Sequence, residues 1–482
     1  MSMQHKDDLI RQAFDAEHFR RNGHELIDLL ANFLHSATSG ELPHALPWQE
    51  PQDQYRYWEE GLEKGGDTTP QALFAEVLES SIRIHHPRYM GHQVSPSAPL
   101  AALAGLADGF LNNGMGVYEM GAAGTAIERV VVKAVAKKMG FGQEADGVMT
   151  SGGSLANLTA LLAARSARSP SPAWQEGQKE RLAVLVSEEA HYCVDRAVRI
   201  MGWGEGGIIK VPADETYRMR TELLPEYLER ARRDGRHVIA VVGSACTTST
   251  GSFDRLDVIA DFCRGHGLWF HVDGAHGGAL AFSPPHRHLL AGIERADSVV
   301  MDFHKMLLTP VVATALIFRD GSQAFRTFSQ RAQYLWNQES DEEWFNLAKR
   351  TFECTKLMMG LKAYTLLRIY GPELWEQYLG RVMEHGRRFA ALVRETEGFE
   401  LAAEPQCNIV CFRYKADGMP EEAANVLNGA IRRAIVEEGR FYIVKTDLRG
   451  RVFLRVTLSN PFTTPGDMQA LLARIQDIRK TL

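Results

Sequence analysis

Hydrophobic residues recur in two different patterns along the chain, and each pattern predicts a different kind of structure. Over residues 7–36 they are separated by three and four positions, which predicts an amphipathic helix. The next stretch, LPHALPWQEPQDQYRYW, is rich in proline and aromatic residues and predicts an extended connection. A second helical pattern covers residues 69–84. The first 85 residues are therefore expected to form an appended helical segment.

Between about residues 145 and 320, short hydrophobic runs alternate with amphipathic stretches that end in glycine. The runs predict buried strands and the stretches predict helices. This alternation indicates a mostly parallel sheet covered on both faces. The predicted strands are LAVLVS (182–187), VIAVVG (238–243), LWFHV (268–272), SVVM (298–301) and ALIF (315–318). Ligands of such sheets bind beyond the carboxyl ends of the strands, so we expect the chemistry there.

Helical periodicity returns from about residue 347 to 397, and the strand-like runs NIVCFRY and RVFLRVTL follow it. This pattern predicts a second, smaller α/β unit at the C-terminus. We therefore expect an N-terminal helical segment (1–85), a large domain (86–370) and a small C-terminal α/β domain (371–482).

Composition narrows the classes of function. The 482 residues carry 54 basic and 60 acidic side chains, giving a formal net charge of −6, and both signs are mixed along the chain. Nothing in this balance points to a nucleic-acid or membrane-surface partner. The N-terminus lacks an apolar signal core, no apolar run is long enough to span a membrane, and the six cysteines are scattered. We expect a cytoplasmic protein without a disulfide framework or a zinc site.

Polar side chains follow four of the predicted strands at the point where each strand ends. His191 follows the first, Thr247 and Thr248 follow the second, Asp273 ends the third, and Lys305 follows the fourth within the sequence DFHK. A single residue of this kind is more often a turn former or a hydrogen-bonded side chain. Four in succession favour one shared site.

A lysine beyond one strand end and an aspartate beyond the previous one suit pyridoxal phosphate. Lys305 offers the amine that forms a Schiff base with the cofactor aldehyde, and Asp273 offers the carboxylate that keeps the pyridine nitrogen protonated. Taken alone, Lys305 is more often a solvated or ion-paired lysine, and Asp273 can be an ion-paired or turn-forming acid. In MTSGGSLANLTALLAARSA, the turn of Gly152, Gly153 and Ser154 before a predicted helix can bind the phosphate, or can simply cap the helix.

Other residues near these strand ends complete the predicted site. His191 is expected to stack on the pyridine ring and to exchange a proton, and Ala275 is small enough to let the ring lie flat on its other face. His276 and His304 adjoin the site. A metal site built from His271, His276 and His304 is a weaker hypothesis, because these residues lack a partnering acid at helical ligand spacing.

The sequence HVDGAHGGALAF, followed by HRHLLAGIERADSVVMDFHKMLL, resembles the group II pyridoxal-dependent amino-acid decarboxylases. That family includes glutamate, cysteine sulfinate, aromatic L-amino-acid and 2,4-diaminobutyrate decarboxylases. The likeness extends from HHPRYMGHQ (85–93) to LRVTLSNP (454–461). It implies an α/β fold of the aspartate aminotransferase-like type, known as fold type I, with residues 86–370 as the cofactor-binding domain. It also implies a homodimer whose N-terminal segments wrap the partner and whose active sites lie at the subunit interface.

The resemblance further implies decarboxylation of an L-amino acid to the corresponding amine and CO2. It assigns roles to individual positions: Lys305 as the Schiff-base lysine, Asp273 as the partner of the pyridine nitrogen, Ala275 as the residue packed against the ring, His191 as the stacking histidine, Ser154 in the phosphate-binding turn, Thr247 near the cofactor, His304 as the histidine before the lysine, and Arg455 at the substrate carboxylate. Because glutamate-type members use such an arginine, a polar or acidic substrate is favoured. The aspartate and phenylalanine before His304 resemble the bacterial diaminobutyrate-type branch.

One departure from the family concerns the proton that replaces CO2. Many members donate it from a loop tyrosine, and counting back from Lys362 places Phe345 at that position, with Tyr334 as another source of a hydroxyl. His191, His304 and Lys305 are further candidate donors. In aromatic members, phenylalanine at the loop position is associated with oxidative deamination, so an aldehyde synthase is a second candidate activity.

Two further hypotheses are weaker. An aminotransferase or lyase of the same fold fits the DFHK pattern less well, and a non-catalytic family member is disfavoured because Lys305, Asp273 and His191 are all present. The substrate pocket is expected to include Asn113, in LNNGMGVYEM, and Phe345, although Asn113 can equally be a polar turn residue.

Overall fold

The computed structural model describes residues 9–328 and 343–482. Its larger sheet has seven strands in the order β1-β7-β6-β5-β4-β2-β3. Strands β3, β2, β4, β5 and β6 pair in parallel, whereas β7 is antiparallel to both of its neighbours. The prediction of a mostly parallel central sheet is confirmed. The strands are β1 (Asp146–Thr150), β2 (Leu182–Ser187), β3 (Ile208–Val211), β4 (His237–Ser244), β5 (Trp269–Asp273), β6 (Ser298–Asp302) and β7 (Thr314–Phe318).

All five strands predicted from hydrophobic runs are present, but β1 and β3 were not predicted. Strand β3 has only four residues, and β1 begins with the strand-disfavouring pair Asp146-Gly147. Gly147 is required there, because a Cβ atom would collide with the carbonyl oxygen of Leu316 on β7. The signal for this strand therefore lies in its packing against β7 rather than in its own sequence.

The longer helices cover both faces of this sheet. With only helices of nine or more residues numbered, one face packs against α5 (Ala122–Met139), α8 (Leu224–Arg233), α9 (Leu256–His266) and α10 (Met359–Tyr370). The other face packs against α6 (Gly153–Arg168) and α7 (Tyr192–Ile200). Neighbouring residues of β4 point to opposite faces, with Val241 in the first core and Val242 in the second.

Of the numbered helices in the described residues, four precede α5: α1 (Ala16–Ser39), α2 (Pro51–Glu63), α3 (Pro70–Ser80) and α4 (Pro99–Leu111). The helical predictions for residues 7–36 and 69–84 are confirmed over most of their lengths. Helix α1 begins at Ala16 because the Asp15 carboxylate accepts a hydrogen bond from the amide of His18 at 2.7 Å.

The predicted extended connection is wrong in its second half, where α2 forms. Pro51 occupies the first turn of α2, where the missing N–H has no intrahelical acceptor in any case. Proline therefore starts this helix instead of preventing it.

The C-terminal part of the chain contains a four-stranded antiparallel sheet in the order β10-β11-β9-β8. The predicted runs NIVCFRY and RVFLRVTL form its two central strands, β9 and β11. Helices α11, α12 and α13 pack against this sheet around residues such as Phe389, Ile431 and Ile475. The elements are α11 (Glu373–Glu395), β8 (Phe399–Leu401), β9 (Ile409–Tyr414), α12 (Glu421–Glu438), β10 (Val444–Leu448), β11 (Arg451–Thr457) and α13 (Pro465–Thr481).

The two sheets approach each other beside the carboxyl ends of β4 and β5. Arg455 of β11 donates a hydrogen bond to the carbonyl oxygen of Thr248 at 2.6 Å, and Asn408 bonds His276 at 2.9 Å. The domain limits at residues 85 and 370 stay a prediction. Of the helices in the described residues, none combines the length and the apolar character that a membrane span needs.

Candidate active site

A polar cavity lies beyond the carboxyl ends of β4, β5 and β6. It contains about 450 Å³ of space between atoms, counted out to its open mouth. Residues that follow the predicted strand ends line it, together with the turn before α6. The lining includes Lys305, Asp273, His191, Ala275, Gly153 and Ser154.

Lys305 lies in a short helical turn, Phe303–Met306, that directly follows β6. Its Nζ is 2.9 Å from Oδ2 of Asp302, the last residue of that strand. Burial alone would lower the pKa of Lys305, but the carboxylates of Asp302 and Asp273 raise it above its usual value. Lys305 is therefore an ammonium group in this state.

The Asp302 carboxylate is buried and has a second partner, because the Thr314 hydroxyl of β7 donates a hydrogen bond to its Oδ1. Burial would raise the pKa of Asp302, but Lys305 and His304 together hold it below its usual value. A carboxylate therefore forms the floor of the cavity beneath the lysine. In the sequence, Asp302 stands out only as a departure from the family pattern.

Asp273 is the last residue of β5 and is 8% exposed. The backbone amide of Ala275 donates to its Oδ1 at 3.2 Å, and the side-chain amide of Asn157 donates to its Oδ2 at 3.3 Å. These two donors fix the plane of the carboxylate at the cavity wall. Ala275 lines the cavity beside it.

The turn that precedes α6 is suited to an anion. Gly152 has φ of 143°, a conformation that a side chain would strain, and its carbonyl accepts the amides of Leu155 and Ala156 at 3.1 Å. The amides of Gly153 and Ser154 have no intrahelical acceptor and lie at the positive end of the helix dipole. A Cβ atom on Gly153 would be 3.2 Å from Oδ2 of Asp302, so its absence keeps the space beside Lys305 open.

His191 caps the N-terminus of α7, with its Nδ1 accepting a hydrogen bond from the amide of Cys193 at 3.3 Å. Burial lowers the pKa of His191, although Asp273 opposes this effect, and the neutral imidazole is favoured. Nitrogen, sulfur and oxygen atoms of His191, Cys193 and Asp273 lie within 4.8 Å of one another, a spacing that a metal ion could use. The adjacent Lys305 ammonium and the raised pKa of the buried Cys193 thiol oppose cation binding there.

The three histidines of the weaker metal hypothesis have separate partners. Burial lowers the pKa of His271 to about 4 and that of His276 to about 3, so both are neutral. Their hydrogen bonds go to different groups: His271 to Asn157 and Ser298, His276 to Asn408, and His304 to the carbonyl oxygen of Ala313. Within the described residues, they do not form a common metal-binding group.

The predicted residues Thr247, Arg455 and His304 lie behind the cavity wall rather than in it. The Thr247 hydroxyl is buried and bonds the hydroxyl of Thr250 at 2.8 Å, whereas the next residue, Thr248, lines the cavity. Arg455 is 7% exposed and reaches the site from the C-terminal sheet through the carbonyl oxygen of Thr248. Its Nε has no hydrogen-bond partner among the described residues.

The predicted substrate residues Asn113 and Phe345 are not brought to this cavity within one chain. The Asn113 amide donates to the carbonyl oxygen of Leu111 at 2.9 Å, and the Phe345 ring packs against Tyr118 with their centroids 5.5 Å apart. Both belong to a different, partly exposed surface. The remaining candidate, Tyr334, lies outside the described residues.

Four cavity residues, Gln93, Asn157, Cys193 and Cys246, were not predicted from the sequence. Asn157 is four positions after Gly153 and therefore lies on the same face of α6. A helical projection from the predicted phosphate turn would have identified it. Gln93 ends the sequence HHPRYMGHQ, and no local pattern marks it.

Comparison with known proteins agrees with the geometry of the cavity. The model of the pyridoxal-dependent decarboxylase conserved domain matches residues 74–415. The chain is 30% identical to the cysteine sulfinic acid decarboxylase of Mus musculus over 447 residues, which are 89% of this chain and 90% of that protein. It is 29% identical to the L-2,4-diaminobutyrate decarboxylase of Acinetobacter baumannii over 425 residues, 84% of this chain and 82% of that protein. The crystal structure of mouse CSAD has a TM-score of 0.90 at 27% identity and covers 97% of this chain and 100% of its own.

Proposed function

This chain belongs to the family of pyridoxal-dependent decarboxylases, and we propose that Lys305 and Asp273 hold the cofactor with which it decarboxylates an L-amino acid. Pyridoxal phosphate as cofactor and conversion of the amino acid to an amine and CO2 follow from the family. The observation that carries the residue assignment is the meeting of an amine, a carboxylate and a glycine turn in one cavity.

The residues present match the three reactive groups of the cofactor. Lys305 supplies the amine for its aldehyde, Asp273 supplies an acceptor for its protonated ring nitrogen, and the free amides of Gly153 and Ser154 suit its phosphate. Gly152 permits the turn that exposes those amides. When bound, pyridoxal phosphate withdraws electron density from the amino-acid Cα and so permits CO2 to leave.

The remaining predicted residues are assigned supporting roles. His191 would lie against one face of the ring and Ala275 against the other, and both line the cavity. Thr247 would act through the wall, by holding the loop that presents Thr248. The Nε2 of His304 lies 3.7 Å from Oδ2 of Asp302. His304 would influence the electrostatic environment of Lys305 through this carboxylate.

The proton that replaces CO2 is assigned to a residue of the cavity. His191 and Lys305 both line it, whereas His304 lies behind it with its ring nitrogen bonded to Ala313. Lys305 would hold the cofactor through its Nζ, and in the presence of substrate its protonated amine would be the group that returns the proton to Cα. This assignment does not require a tyrosine at the position of Phe345.

The substrate is proposed to be an amino acid with a polar side chain. Gln93, Thr248 and His276 line the cavity with polar atoms, and Arg455 lies behind Thr248 with an Nε that has no partner among the described residues. A guanidinium is a suitable partner for the α-carboxylate. The relatives named above act on diaminobutyrate and cysteine sulfinate, which are both polar but opposite in charge.

We further propose a homodimer in the cytoplasm. Hydrophobic side chains on α4 and before α10 are exposed in one chain, including Phe110 at 69% and Phe352 at 66%. Asn113 and Phe345 lie three and seven residues from them in the sequence, so burial of these side chains against a second copy would bring Asn113 and Phe345 to the subunit interface. All six cysteines are free thiols, which suits the reducing cytoplasm.

The assignment is tested by replacing Lys305 with alanine and measuring the absorbance of protein-bound cofactor together with decarboxylase activity. Both are expected to be lost, while Lys64→Ala, at an exposed lysine, leaves both unchanged. A Lys305→Ala protein that kept the bound-cofactor absorbance and the activity would refute the assignment.

Product analysis separates decarboxylation from aldehyde synthesis. The purified enzyme is offered the twenty common L-amino acids with diaminobutyrate, ornithine and cysteine sulfinate, while CO2, amine, oxygen uptake and peroxide are measured. Equal amounts of CO2 and amine without oxygen uptake are expected. Aldehyde and peroxide in step with CO2 would instead establish the oxidative activity.

A further inference from the structure

A chain of buried hydrogen bonds runs behind the cavity from the central sheet to Asp273. It joins residues of β5, β6 and α6, which are the elements that also carry Asp273, Lys305 and the glycine turn. We call it the Asp273 network, and its members are Trp269, Ser298, His271, Asn157 and Asp273. All five are at most 8% exposed.

The end nearest the cofactor site fixes the orientation of Asn157. Its Nδ2 is 2.9 Å from the carbonyl oxygen of Gly153 and 3.3 Å from Oδ2 of Asp273, and both of these atoms can only accept. The amide must therefore direct its NH2 group towards them. Its Oδ1 then faces Nε2 of His271 at 2.7 Å, which must carry a proton.

The other end is consistent with this tautomer of His271. Because burial lowers the pKa of His271 to about 4, its ring is neutral and Nδ1 is an acceptor when Nε2 is protonated. The Ser298 hydroxyl lies 2.8 Å from that Nδ1 and donates to it, whereas the backbone carbonyl oxygen of Ser298 is farther from Nδ1, at 3.2 Å. Ser298 can do so because its oxygen receives the indole N–H of Trp269 at 2.9 Å. Every donor in the chain thus points towards Asp273.

We infer that His271 and Asn157 are positioning residues of this enzyme, which orient Asp273 and tie it to the phosphate-binding turn. The Asn157 amide is the central link, since its NH2 contacts both the Asp273 carboxylate and the Gly153 carbonyl. His271 holds that amide by donating to its oxygen. The inference rests on the proposed role of Asp273 at the ring nitrogen and adds the residues that enforce it.

Loss of the His271 donor has a defined consequence. The Asn157 oxygen would be left buried without a partner, which is unfavourable unless the amide turns over or water enters. Either change weakens the contact with Asp273. His271 never touches the cavity in this arrangement, because its two nitrogens are occupied by Asn157 and Ser298.

Two substitutions of His271 separate its two nitrogens. The Gln side chain places an N–H donor near the position of Nε2, so His271→Gln can retain the bond to Asn157. The Asn side chain reaches only as far as Nδ1, so His271→Asn keeps a polar contact with Ser298 and loses Asn157. The two variants are matched in polarity and differ in the link under test. His271→Leu removes both contacts.

The test measures the dissociation constant of pyridoxal phosphate, the pH dependence of the bound-cofactor absorbance, and kcat and KM. His271→Asn is expected to raise the dissociation constant and lower kcat by roughly tenfold each, equivalent to about 1.4 kcal/mol, with KM for the amino acid little changed. His271→Gln should remain within about threefold of wild type in each quantity and keep its absorbance profile. Equal values for the Gln and Asn variants, whether native or impaired, would overturn the inference.

Stability and the proposed function are checked in parallel. The thermal midpoints of the cofactor-free Gln and Asn variants are compared, because a loss explained by misfolding would appear there without a change in the absorbance profile, and that result also overturns the inference. Asp273→Asn and Lys305→Ala serve as references. If they abolish cofactor binding while His271→Asn behaves as wild type, only the network inference fails. If they retain cofactor and activity, the proposed function itself fails.

Discussion

Lys305 and Asp302 form an ion pair of 2.9 Å at the floor of the cavity, three residues apart across the end of β6. The amine expected to react with an aldehyde is therefore stored as an ammonium group. Asp302 holds Lys305 from below, while Asp273 acts on it from the cavity wall. A neutral amine is needed for the reaction, so this pair controls how readily the cofactor is captured.

The first prediction concerns the pH at which cofactor-free enzyme takes up pyridoxal phosphate. Asp302→Asn removes the charge of this carboxylate and should lower the pKa of Lys305. Burial lowers that pKa, and the Asp302 carboxylate is the largest of the effects that raise it. The uptake rate then rises towards its plateau at lower pH than in the wild type. Uptake is followed by the absorbance of bound cofactor across pH values from about 6 to about 10, a range that spans the ordinary lysine pKa. Thr314→Val, which removes a hydrogen bond to Asp302 but not its charge, should shift the profile less.

The second prediction concerns the turn before α6. Gly152→Ala places a side chain at φ of 143°, which costs about 1–3 kcal/mol and disturbs the amides of Gly153 and Ser154. A weaker affinity for pyridoxal phosphate is expected, by roughly tenfold. The matched control is Gly429→Ala in α12, where a Cβ atom meets nothing within 4 Å and helix propensity favours alanine. Equal cofactor affinities in the two variants would argue against an anion site at this turn.

Much of the fold could be predicted because the buried strands are hydrophobic along their whole length. The rule that ligands meet the carboxyl ends of parallel strands then brought His191, Asp273 and Lys305 together from the sequence alone. Strands β1 and β3 were not predicted, because their stability comes from the strands beside them. Helix α2 was not predicted because proline was interpreted as a helix breaker, although Pro51 is compatible with the first turn of a helix.

The parts of the site that could not be predicted depend on how separate elements dock. A helical projection places Asn157 on the cavity face of α6, but its contact with Asp273 depends on how α6 packs across β5. Arg455, 150 residues beyond Lys305, was assigned from the family resemblance alone, and no local residue pattern reveals its approach through the carbonyl oxygen of Thr248. Such contacts follow from tertiary packing rather than from local propensity.

The third prediction concerns a fully buried ion pair under β1. Lys356 Nζ lies 2.6 Å from Oε1 of Glu128 and 2.8 Å from the carbonyl oxygen of Met149, one residue before the end of β1. Lys356→Met leaves the Glu128 carboxylate buried without its cation and should destabilise the protein by about 3–5 kcal/mol.

Chemical denaturation of the cofactor-free protein measures this loss, and two further variants define its origin. Lys480→Met breaks an exposed pair with Asp477 and should change the stability by at most about 1 kcal/mol. The double variant Lys356→Met with Glu128→Leu should regain part of the loss, because no unpaired charge remains. A Lys356→Met protein as stable as the wild type would contradict the argument.

The fourth prediction separates substrate binding from cofactor binding. Arg455→Met removes the guanidinium behind Thr248 and should raise KM or lower kcat/KM by about tenfold to a hundredfold, the effect of losing a charged hydrogen bond of about 1.5–3 kcal/mol. The bound-cofactor absorbance should persist, because Arg455 lies beside Thr248 rather than at Lys305. Arg451→Met on the same strand is the control. Loss of bound cofactor in Arg455→Met would contradict the assignment of this arginine to substrate binding.

The fifth prediction concerns the exposed hydrophobic surface at the end of α4. Phe110 is 69% exposed in one chain, and its ring lies 5.2 Å from that of Phe19 on α1. If a second copy covers this surface, Phe110→Asp puts an unpaired charge into a hydrophobic interface and shifts the equilibrium towards monomers. Val426→Asp, at a residue of α12 that is 65% exposed, should leave the assembly unchanged. Sedimentation at several protein concentrations distinguishes the two variants.

Because Asn113 and Phe345 are absent from the cavity of their own chain, the Phe110→Asp monomer should also lose activity while its thermal midpoint stays close to that of Val426→Asp. A fully active monomer would show that the single-chain cavity is complete.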